Sequence, residues 1–399
     1  MNYRFSRRME VLKPSAIREI LKYSSDPNVI AFSAGNPSSE TFPSNEIRDI
    51  IDNILKESPA AALQYGVTEG YEPLREMLQN DLQERFGEGA NENNVLIMSG
   101  AQQIIDITAR IFCEKGDVIL CESPSFLAAL SAFKASDAQL IGVDMEEDGI
   151  SIEGLERALL ENPKAKFLYT IPNFHNPTGI TMSLEKRKQV YELAKKYGIC
   201  ILEDDPYGEL QFSGEKLPTI KSMDTEGIVI YSGSFSKVIA PGLRVGYVMA
   251  YRDIVQKMIV VKQLNDVHSN LLAQMTVYHY LLKHDFGKHL QEIRSLYGRK
   301  CNLMLAQIAA DFSEQVSFTK PTGGLFIWCT LPDAFDMLQF CERAVKEKKV
   351  AVVPGNAFFV DDSCKSQSFR MNFSTPREDQ IITGIKILGE MTKHTLRKE

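Results

Sequence analysis

The feature that most constrains the fold is a regular alternation of short apolar runs and longer amphipathic segments between about residues 95 and 250. Segments such as LEKRKQVYELAKKYG separate the runs, and they have helical spacing and a terminal glycine. This alternation is typical of βαβ units, in which helices cover both faces of a mostly parallel sheet. We therefore predict an α/β fold with a seven-stranded, mostly parallel sheet. The seven runs are NVLIMS, DVILCE, AQLIGV, KFLYTI, GICILEDD, GIVIYSGS and RVGYVMA.

The last two runs are separated only by a loop around Lys237, which is too short for a helical crossover. We therefore expect the last strand to be antiparallel or out of the regular order. Beyond residue 250 long helical segments precede the strand-like GGLFIWCTL, KVAVVPG and SFRMNFS, which indicates a smaller α+β domain. We predict an N-terminal segment (1–45) that completes the small domain and covers the ligand site, a large domain (46–285) and a small C-terminal α+β domain (286–399).

The amino-acid composition limits the classes of ligand and partner that we expect. The 399 residues carry a formal net charge of −7 without a block of basic residues, so we expect neither a nucleic-acid partner nor a membrane partner. No run of about 18 apolar residues occurs. The seven cysteines form no CxxC motif, which indicates free thiols in a reducing compartment, hence a cytoplasmic protein without a metal site. Small metabolites are the expected ligands.

Polar side chains follow several of the predicted strands. Asn176 comes after the fourth strand, and Asp204 and Tyr207 come after the fifth. The carboxyl ends of parallel strands meet at one edge, where ligands bind. Asp204 directly follows the apolar ICILE, where a carboxylate is costly unless it meets a cation. The loop after the sixth strand adds hydroxyls and cations, namely Ser234, Ser236, Lys237 and Arg244.

The segment VLIMSGAQQIIDI predicts a strand, a tight turn and a helix, so the amides of Ala101 and Gln102 would form an anion site. Taken alone, this segment is better explained by an ordinary strand-to-helix turn. Together, an anion site, a buried acid, a phenol and a lysine suit a ligand with a phosphate, a protonatable nitrogen and an electrophilic carbon. Pyridoxal phosphate has all three.

The motifs NPTG, DDPY and SFSKVIAPGLRVG occur in this order, within matches that run from PSAIREI to FRMNFS. On these motifs the sequence resembles the fold type I, class I/II pyridoxal-phosphate aminotransferases, in particular the kynurenine and 2-aminoadipate aminotransferases. The resemblance implies that 46–285 binds the cofactor. It implies transfer of an amino group between an L-amino acid and a 2-oxo acid, with aromatic, 2-aminoadipate-like or broad specificity.

Two alternatives remain on the same fold. A carbon–sulfur β-lyase would share the cofactor site and differ only in its substrate contacts. The effector domain of a transcription regulator would carry an additional N-terminal winged-helix unit, whereas fewer than forty residues precede SAGNP. We therefore expect an enzyme.

The resemblance assigns roles to individual residues. Lys237 forms the internal aldimine and, once displaced, moves the substrate proton. Asp204 pairs with the pyridine nitrogen, while Asn176 and Tyr207 hydrogen-bond the phenolic oxygen. Lys237, Asp204 and Tyr207 are thus the predicted catalytic residues. The phosphate is implied to bind among Ser234, Ser236, Arg244 and the amides of Ala101 and Gln102.

The resemblance also implies substrate contacts. Arg370 in SFRMNFS binds the substrate α-carboxylate in a bidentate fork, together with Asn176, and Gly35 allows close backbone approach. Phe126 stacks on the cofactor. Phe126 stands where a tyrosine is frequent and Ala101 where a serine or threonine is common, so two hydroxyls of the family pattern are absent.

Two residues are implied to complete the site from a distance. Tyr65 in LQYGVTEG matches the tyrosine that reaches the phosphate of the neighbouring subunit, which implies a homodimer with shared active sites. Arg18 in PSAIREI matches an arginine on the segment that covers the side-chain pocket, although a solvated helix arginine is an equal alternative. The sequence leaves the physiological donor and acceptor undetermined.

Overall fold

The computed structural model of the protein describes residues 3–6, 9, 26–332, 336–361 and 363–396. The strands in these ranges are β1 (Ile30–Ala31), β2 (Asn93–Met98), β3 (Val118–Ser123), β4 (Gln139–Glu146), β5 (Gly149–Ile150), β6 (Ala165–Thr170), β7 (Cys200–Asp204), β8 (Val229–Ser234), β9 (Gly246–Tyr251), β10 (Ser317–Phe318), β11 (Phe326–Thr330), β12 (Val350–Ala351), β13 (Val353–Pro354) and β14 (Ser368–Asn372). The helices are α1 (Ser44–Glu57), α2 (Pro59–Leu63), α3 (Glu72–Phe86), α4 (Ala101–Phe112), α5 (Leu127–Ala135), α6 (Ile152–Glu161), α7 (Leu184–Tyr197), α8 (Arg252–Asp266), α9 (Leu271–Lys283), α10 (Phe286–Asp311), α11 (Met337–Lys348) and α12 (Glu378–Leu396).

The large sheet has the strand order β2-β9-β8-β7-β6-β3-β4-β5. Strands β8, β7, β6, β3 and β4 run parallel, whereas β9 is antiparallel to both of its neighbours. The α/β prediction, the seven runs and the antiparallel last strand are therefore confirmed. Strand β5 was not predicted; it has two residues and pairs antiparallel with β4 across a tight turn.

The strands at the centre of the large sheet are buried on both faces. Leu168, Ile201, Leu202 and Ile230 have no exposed surface, as expected for strands covered by helices on either side. The helix α7 shows how the sequence sets the cover. The Ser183 hydroxyl accepts a hydrogen bond from the Lys186 amide at its start, and Gly198 ends it in a left-handed conformation with φ of 67°.

A second, antiparallel sheet has the order β10-β11-β14-β13. A further pair of short strands joins the N-terminal and C-terminal parts of the chain, because β1 lies parallel to β12, with Ile30 opposite Val350 and Ala31 opposite Ala351. The segment before α1 thus packs with the C-terminal part of the chain. No helix in the described ranges is both long enough and apolar enough to cross a lipid bilayer.

The segment from residue 258 to 286 has a helical sequence pattern, but the structure divides it between two helices. Helix α8 ends at Asp266, and α9 begins at Leu271. Val267 between them has φ of 64° and ψ of −61°, a conformation that β-branched residues rarely adopt. The Asn270 side chain then caps α9 by accepting a hydrogen bond from the Ala273 amide at 2.8 Å.

Candidate active site

A cavity of about 370 Å³ lies at the carboxyl ends of β6, β7 and β8, and residues of the small sheet close it from the other side. This is the edge at which parallel sheets bind ligands. Most of the predicted site residues line it. They are Gly35, Ala101, Gln102, Phe126, Asn176, Asp204, Tyr207, Ser234, Ser236, Lys237, Arg244 and Arg370.

Lys237 lies on the loop between β8 and β9, and its Nζ donates a hydrogen bond to the Gly35 carbonyl at 3.0 Å. Burial, together with the positive charges of Arg370 and Arg244, lowers the pKa of this amine to about 8, and Asp204 acts in the opposite direction. A lysine with this pKa is partly neutral near neutral pH. It can therefore act as a nucleophile or a base.

Asp204 ends β7, and neighbouring strands hold both of its carboxylate oxygens. Tyr169 on β6 donates from its hydroxyl to Oδ2 at 2.9 Å, and Ser232 on β8 donates to Oδ1 at 2.9 Å. Burial raises the pKa of Asp204 to about 6, while these two hydrogen bonds favour the charged form. Neither hydroxyl was predicted from the sequence, although each is a polar group within an apolar run.

The predicted anion site lies where α4 begins. Gly100 precedes the helix with φ of 80°. The positive φ favours glycine, and a Cβ at this position would lie 2.5 Å from a guanidinium nitrogen of Arg244 and would displace that group. The Arg244 Nη2 donates to the Ser99 carbonyl at 3.1 Å. The first amides of α4 and the guanidinium group of Arg244 therefore lie at the same end of the cavity.

Arg370 on β14 approaches the cavity from the small sheet. Its Nη1 donates to Asn176 Oδ1 at 2.8 Å, and its Nη2 donates to the Ser33 carbonyl at 3.0 Å. The guanidinium carbon lies 4.3 Å from the ring centroid of Phe326 and 5.0 Å from that of Phe358. Burial lowers the pKa of Arg370 to about 10. Its Nε is buried without a partner, and no carboxylate among the described residues forms an ion pair with it.

Asn176 and Tyr207 line the cavity together with the two arginines, Arg244 and Arg370. The Asn176 amide donates to the Tyr207 hydroxyl at 3.4 Å, and the Tyr207 ring meets Phe326 edge-on at 5.9 Å. Burial raises the pKa of Tyr207, so the phenol stays protonated. Phe126 lies at the N-terminal end of α5 and lines the same cavity.

His175, for which no role was predicted, is buried and directly precedes Asn176 in the chain. Its Nε2 lies 3.1 Å from Glu122 Oε2, and its Nδ1 is 2.8 Å from the hydroxyl of Thr178. Glu122 also accepts hydrogen bonds from the Thr170 hydroxyl at 2.6 Å and the Ile171 amide at 3.0 Å. This network holds the backbone around Asn176 from below.

One predicted residue, Tyr65, lies away from the cavity of its own chain. The Tyr65 side chain is 79% exposed, and its ring meets the His268 ring edge-on at 5.8 Å. It does not line the cavity of its own chain. Arg18 falls outside the described residues.

The donor set fits pyridoxal phosphate. The Asp204 carboxylate can accept a hydrogen bond from a protonated ring nitrogen, because the bonds from the Tyr169 and Ser232 hydroxyls leave it with free lone pairs. The Lys237 amine has the depressed pKa that attack on an aldehyde requires. The start of α4 and Arg244 suit a phosphate. Arg370 leaves a buried, unpaired donor for the carboxylate of an amino acid.

The family profile described as Aminotransferase class I and II matches residues 27–386. Aromatic-amino-acid aminotransferase 1 of Thermococcus litoralis is 39% identical over 398 residues, which are 99% of this chain and 95% of that protein. The kynurenine aminotransferase of Pyrococcus horikoshii, solved in complex with PMP, is 40% identical with a TM-score of 0.94, over 98% of this chain and 97% of that chain.

The alpha-aminoadipate aminotransferase of Thermus thermophilus, complexed with N-(5'-phosphopyridoxyl)-L-leucine, is 34% identical with a TM-score of 0.89. The match covers 99% of this chain and 98% of that chain. These similarities extend along nearly the whole chain, and they favour transamination over the β-lyase alternative. The chain belongs to the class I and II aminotransferases of fold type I, and it is a pyridoxal-phosphate-dependent transaminase that moves an amino group between an amino acid and a 2-oxo acid.

Proposed function

We propose that this transaminase prefers amino donors with apolar, and in particular aromatic, side chains. The observation that carries the proposal is the wall of the cavity. Apart from Lys237, Arg244 and Arg370, no cation lines the cavity within the described part of the chain. The wall that remains is largely apolar, and it is formed by Phe126, Leu127, Ile171, Val353 and Phe358. The relatives named for aromatic amino acids and kynurenine support the same preference.

In the proposed mechanism, Arg370 grips the α-carboxylate of the donor. The partners of its two terminal nitrogens, Asn176 and Ser33, fix the plane of the guanidinium group, and Phe326 packs against it. A fixed fork turns the Cα–H bond of the donor into one orientation, which lowers the entropy cost of proton removal. Gly35 leaves room for the substrate beside the lysine.

Lys237 Nζ takes the proton from the donor Cα, and its pKa of about 8 makes it a suitable base near neutral pH. Asp204 keeps a proton on the ring nitrogen of the cofactor, and Asn176 and Tyr207 hydrogen-bond the phenolic oxygen. When bound, pyridoxal phosphate supplies the aldehyde that takes up the amino group and a ring that withdraws electrons from the reacting carbon. The same residues then return the amino group to a 2-oxo acid.

The phosphate is proposed to lie against the amides of Ala101 and Gln102 and the guanidinium group of Arg244. The Ser236 amide already donates to the Ser234 hydroxyl at 3.1 Å, which orders this loop beside Lys237. Ala101 offers only its backbone amide, so the charged contact of Arg244 carries more of the binding. Phe126 is proposed to stack on the ring.

We also propose a homodimer with shared active sites, in which Tyr65 reaches the phosphate of the neighbouring subunit. Exposed apolar residues support it, because Leu63 and Val67, which lie two positions from Tyr65 in the chain, are also more than half exposed. A homodimer would have twice the chain mass of 44.9 kDa in solution. A monomer at working concentration would overturn this proposal.

The division of the chain also enters as a proposal, with 1–45 completing the small domain and covering the substrate, 46–285 binding the cofactor and 286–399 forming the small domain. It is supported by the pairing of β1 with β12 and by Ser33 and Gly35 in the cavity wall. A cytoplasmic location is proposed as well, because all seven cysteines are free.

A 2-aminoadipate-like donor is the second candidate, and the Thermus thermophilus relative favours it. Such a donor carries a distal carboxylate, which needs a cation that the described wall does not provide. Arg18 is the residue that we propose for that role.

The test compares donors by the absorbance change of the first half-reaction, without an acceptor. Phenylalanine, kynurenine, leucine, glutamate and 2-aminoadipate are used with the wild type and with Arg18→Ala. We expect kcat/KM for the aromatic donors to be highest and to be unchanged in the variant. A preference for 2-aminoadipate that Arg18→Ala abolishes would replace the aromatic proposal with the second candidate.

A further inference from the structure

One carboxylate outside the cavity organises the turn that begins α4. Asp266, the last residue of α8, accepts hydrogen bonds on Oδ2 from the Ser99 hydroxyl at 2.9 Å and from the Gln103 side chain at 2.8 Å. The Ser99 amide donates to Gln103 Oε1 at 2.8 Å. The Ser99 hydroxyl also lies 2.9 Å from that of Ser269. Hydrogen bonds thus hold Ser99, in this turn, at both its backbone amide and its side-chain hydroxyl.

Ser99 connects this carboxylate with the anion site. Its carbonyl accepts the hydrogen bond from Arg244 Nη2, and it lies two residues before the amide of Ala101. A shift of Ser99 would therefore move both the guanidinium group and the helix amides. The amide and hydroxyl of Ser99 are held by residues that do not line the cavity, namely Asp266, Gln103 and Ser269.

The backbone after Asp266 is strained in a way that aims the carboxylate. The His268 amide donates to the Asp266 carbonyl at 2.7 Å, which closes a γ-turn around Val267 with its φ of 64° and ψ of −61°. This form of the γ-turn is rare and strained, particularly for a β-branched residue. Such strain persists where the surrounding contacts fix the conformation. The turn lets Asp266 and Ser269 approach the Ser99 hydroxyl together.

A buried lysine balances the charge of the carboxylate. Lys262 Nζ donates to Asp266 Oδ1 at 2.8 Å, and the lysine side chain has no exposed surface. Burial alone would raise the pKa of Asp266, but the hydrogen bonds from Lys262 and Gln103 outweigh it and hold that pKa below its usual value. The pair therefore adds little net negative charge beside a site meant for an anion.

We propose that Asp266 is a positioning residue for cofactor binding: through Ser99 it fixes Arg244 and the first amides of α4 in the arrangement that binds the cofactor phosphate. The inference rests on the proposed function, because it takes the amides of Ala101 and Gln102 and the side chain of Arg244 as the phosphate ligands. It predicts a selective loss. Affinity for the phosphate group falls, while contacts to the ring remain.

The test uses apoenzyme titrated with pyridoxal phosphate and, separately, with pyridoxal, which lacks the phosphate. For Asp266→Asn we expect the Kd of pyridoxal phosphate to rise about tenfold, the size of one hydrogen bond to a charged group, and that of pyridoxal to change less than about twofold. Ser99→Ala keeps the Lys262–Asp266 pair and is expected to shift the same ratio by a smaller factor. It serves if Asp266→Asn does not fold.

The matched control is Asp224→Asn, which also breaks a buried ion pair. Lys221 Nζ lies 2.8 Å from Asp224 Oδ2, and neither residue lines the cavity. We expect this variant to lower the melting temperature and to leave the ratio of the two Kd values unchanged. An equal change in both Kd values for Asp266→Asn or Ser99→Ala, or no change in either, would overturn the inference. A wild type that binds both compounds equally would instead refute the phosphate site itself.

Discussion

The proposed active site has a cofactor half and a substrate half, and these differ in how far the chain satisfies its own charges. In the cofactor half, at the ends of β6, β7 and β8, Asp204 receives hydrogen bonds from Tyr169 and Ser232. In the substrate half, Arg370 is buried against aromatic rings, and the described residues provide it with no carboxylate and leave its Nε without a partner. The cofactor half is therefore largely completed by the fold. The substrate half is completed only by the charge of its ligand.

This difference corresponds to the two ligands. A transaminase keeps its cofactor through many cycles and exchanges its substrate in each half-reaction. Preformed hydrogen bonds around Asp204 lower the cost of ordering the site when the cofactor binds. A buried guanidinium group without a counter-ion gains most from a carboxylate, because the cost of its burial has already been met by the fold.

The largest effect is expected at Lys237, which faces both halves. Lys237→Ala should abolish the visible absorbance of the bound cofactor and lower the transamination rate by at least about a thousandfold, since it removes both the covalent attachment and the base. Spectra and single-turnover rates measure the two effects, and circular dichroism controls for folding. A variant that retained both properties would remove Lys237 from the mechanism.

The next effect separates the halves directly. Arg370→Ala should lower kcat/KM for an amino acid by about a hundredfold or more, because one partner of a buried charge pair is lost, while the Kd of the cofactor changes little. Arg370→Lys keeps the charge without the fork and should fall between. Phenethylamine, a donor without a carboxylate, is the control, and its slow reaction should change far less than that of the amino acid in both variants. An equal loss with phenethylamine would show that Arg370 supports the cofactor half instead.

The smallest effect concerns the pH dependence of cofactor capture. Lys237 attacks only when neutral, and its pKa is lowered to about 8, so the capture rate by apoenzyme should rise about tenfold per pH unit below pH 8 and level off above it. Stopped-flow absorbance between pH 6 and 10 measures it. Because the Arg370 charge contributes to the lowered pKa, Arg370→Gln should move the midpoint to higher pH. A rate that rises steadily to pH 10 would mean that the lysine is not perturbed.

The secondary structure of the large sheet was accessible from the sequence because apolar periodicity and capping residues act locally. The runs became β2, β3, β4, β6, β7, β8 and β9, and Ser183 and Gly198 bound α7. The motifs NPTG, DDPY and SFSKVIAPGLRVG also predicted which side chains lie around Lys237. The supporting hydrogen bonds were not accessible, because they join distant positions. Tyr169 and Asp204 are 35 residues apart, and Ser99 and Asp266 are 167 apart.

The sequence by itself determined the chemical groups of this protein, namely an amine, a carboxylate, a phenol and two guanidinium groups on the ends of predicted strands and loops. Only the tertiary structure decided their states. The same lysine has a pKa near 10.4 in water and about 8 here, and Asp204 reaches about 6, because burial and neighbouring charges arise only after folding. The break at Val267 and the unpaired Nε of Arg370 belong to the same class, since both depend on contacts that no local segment contains.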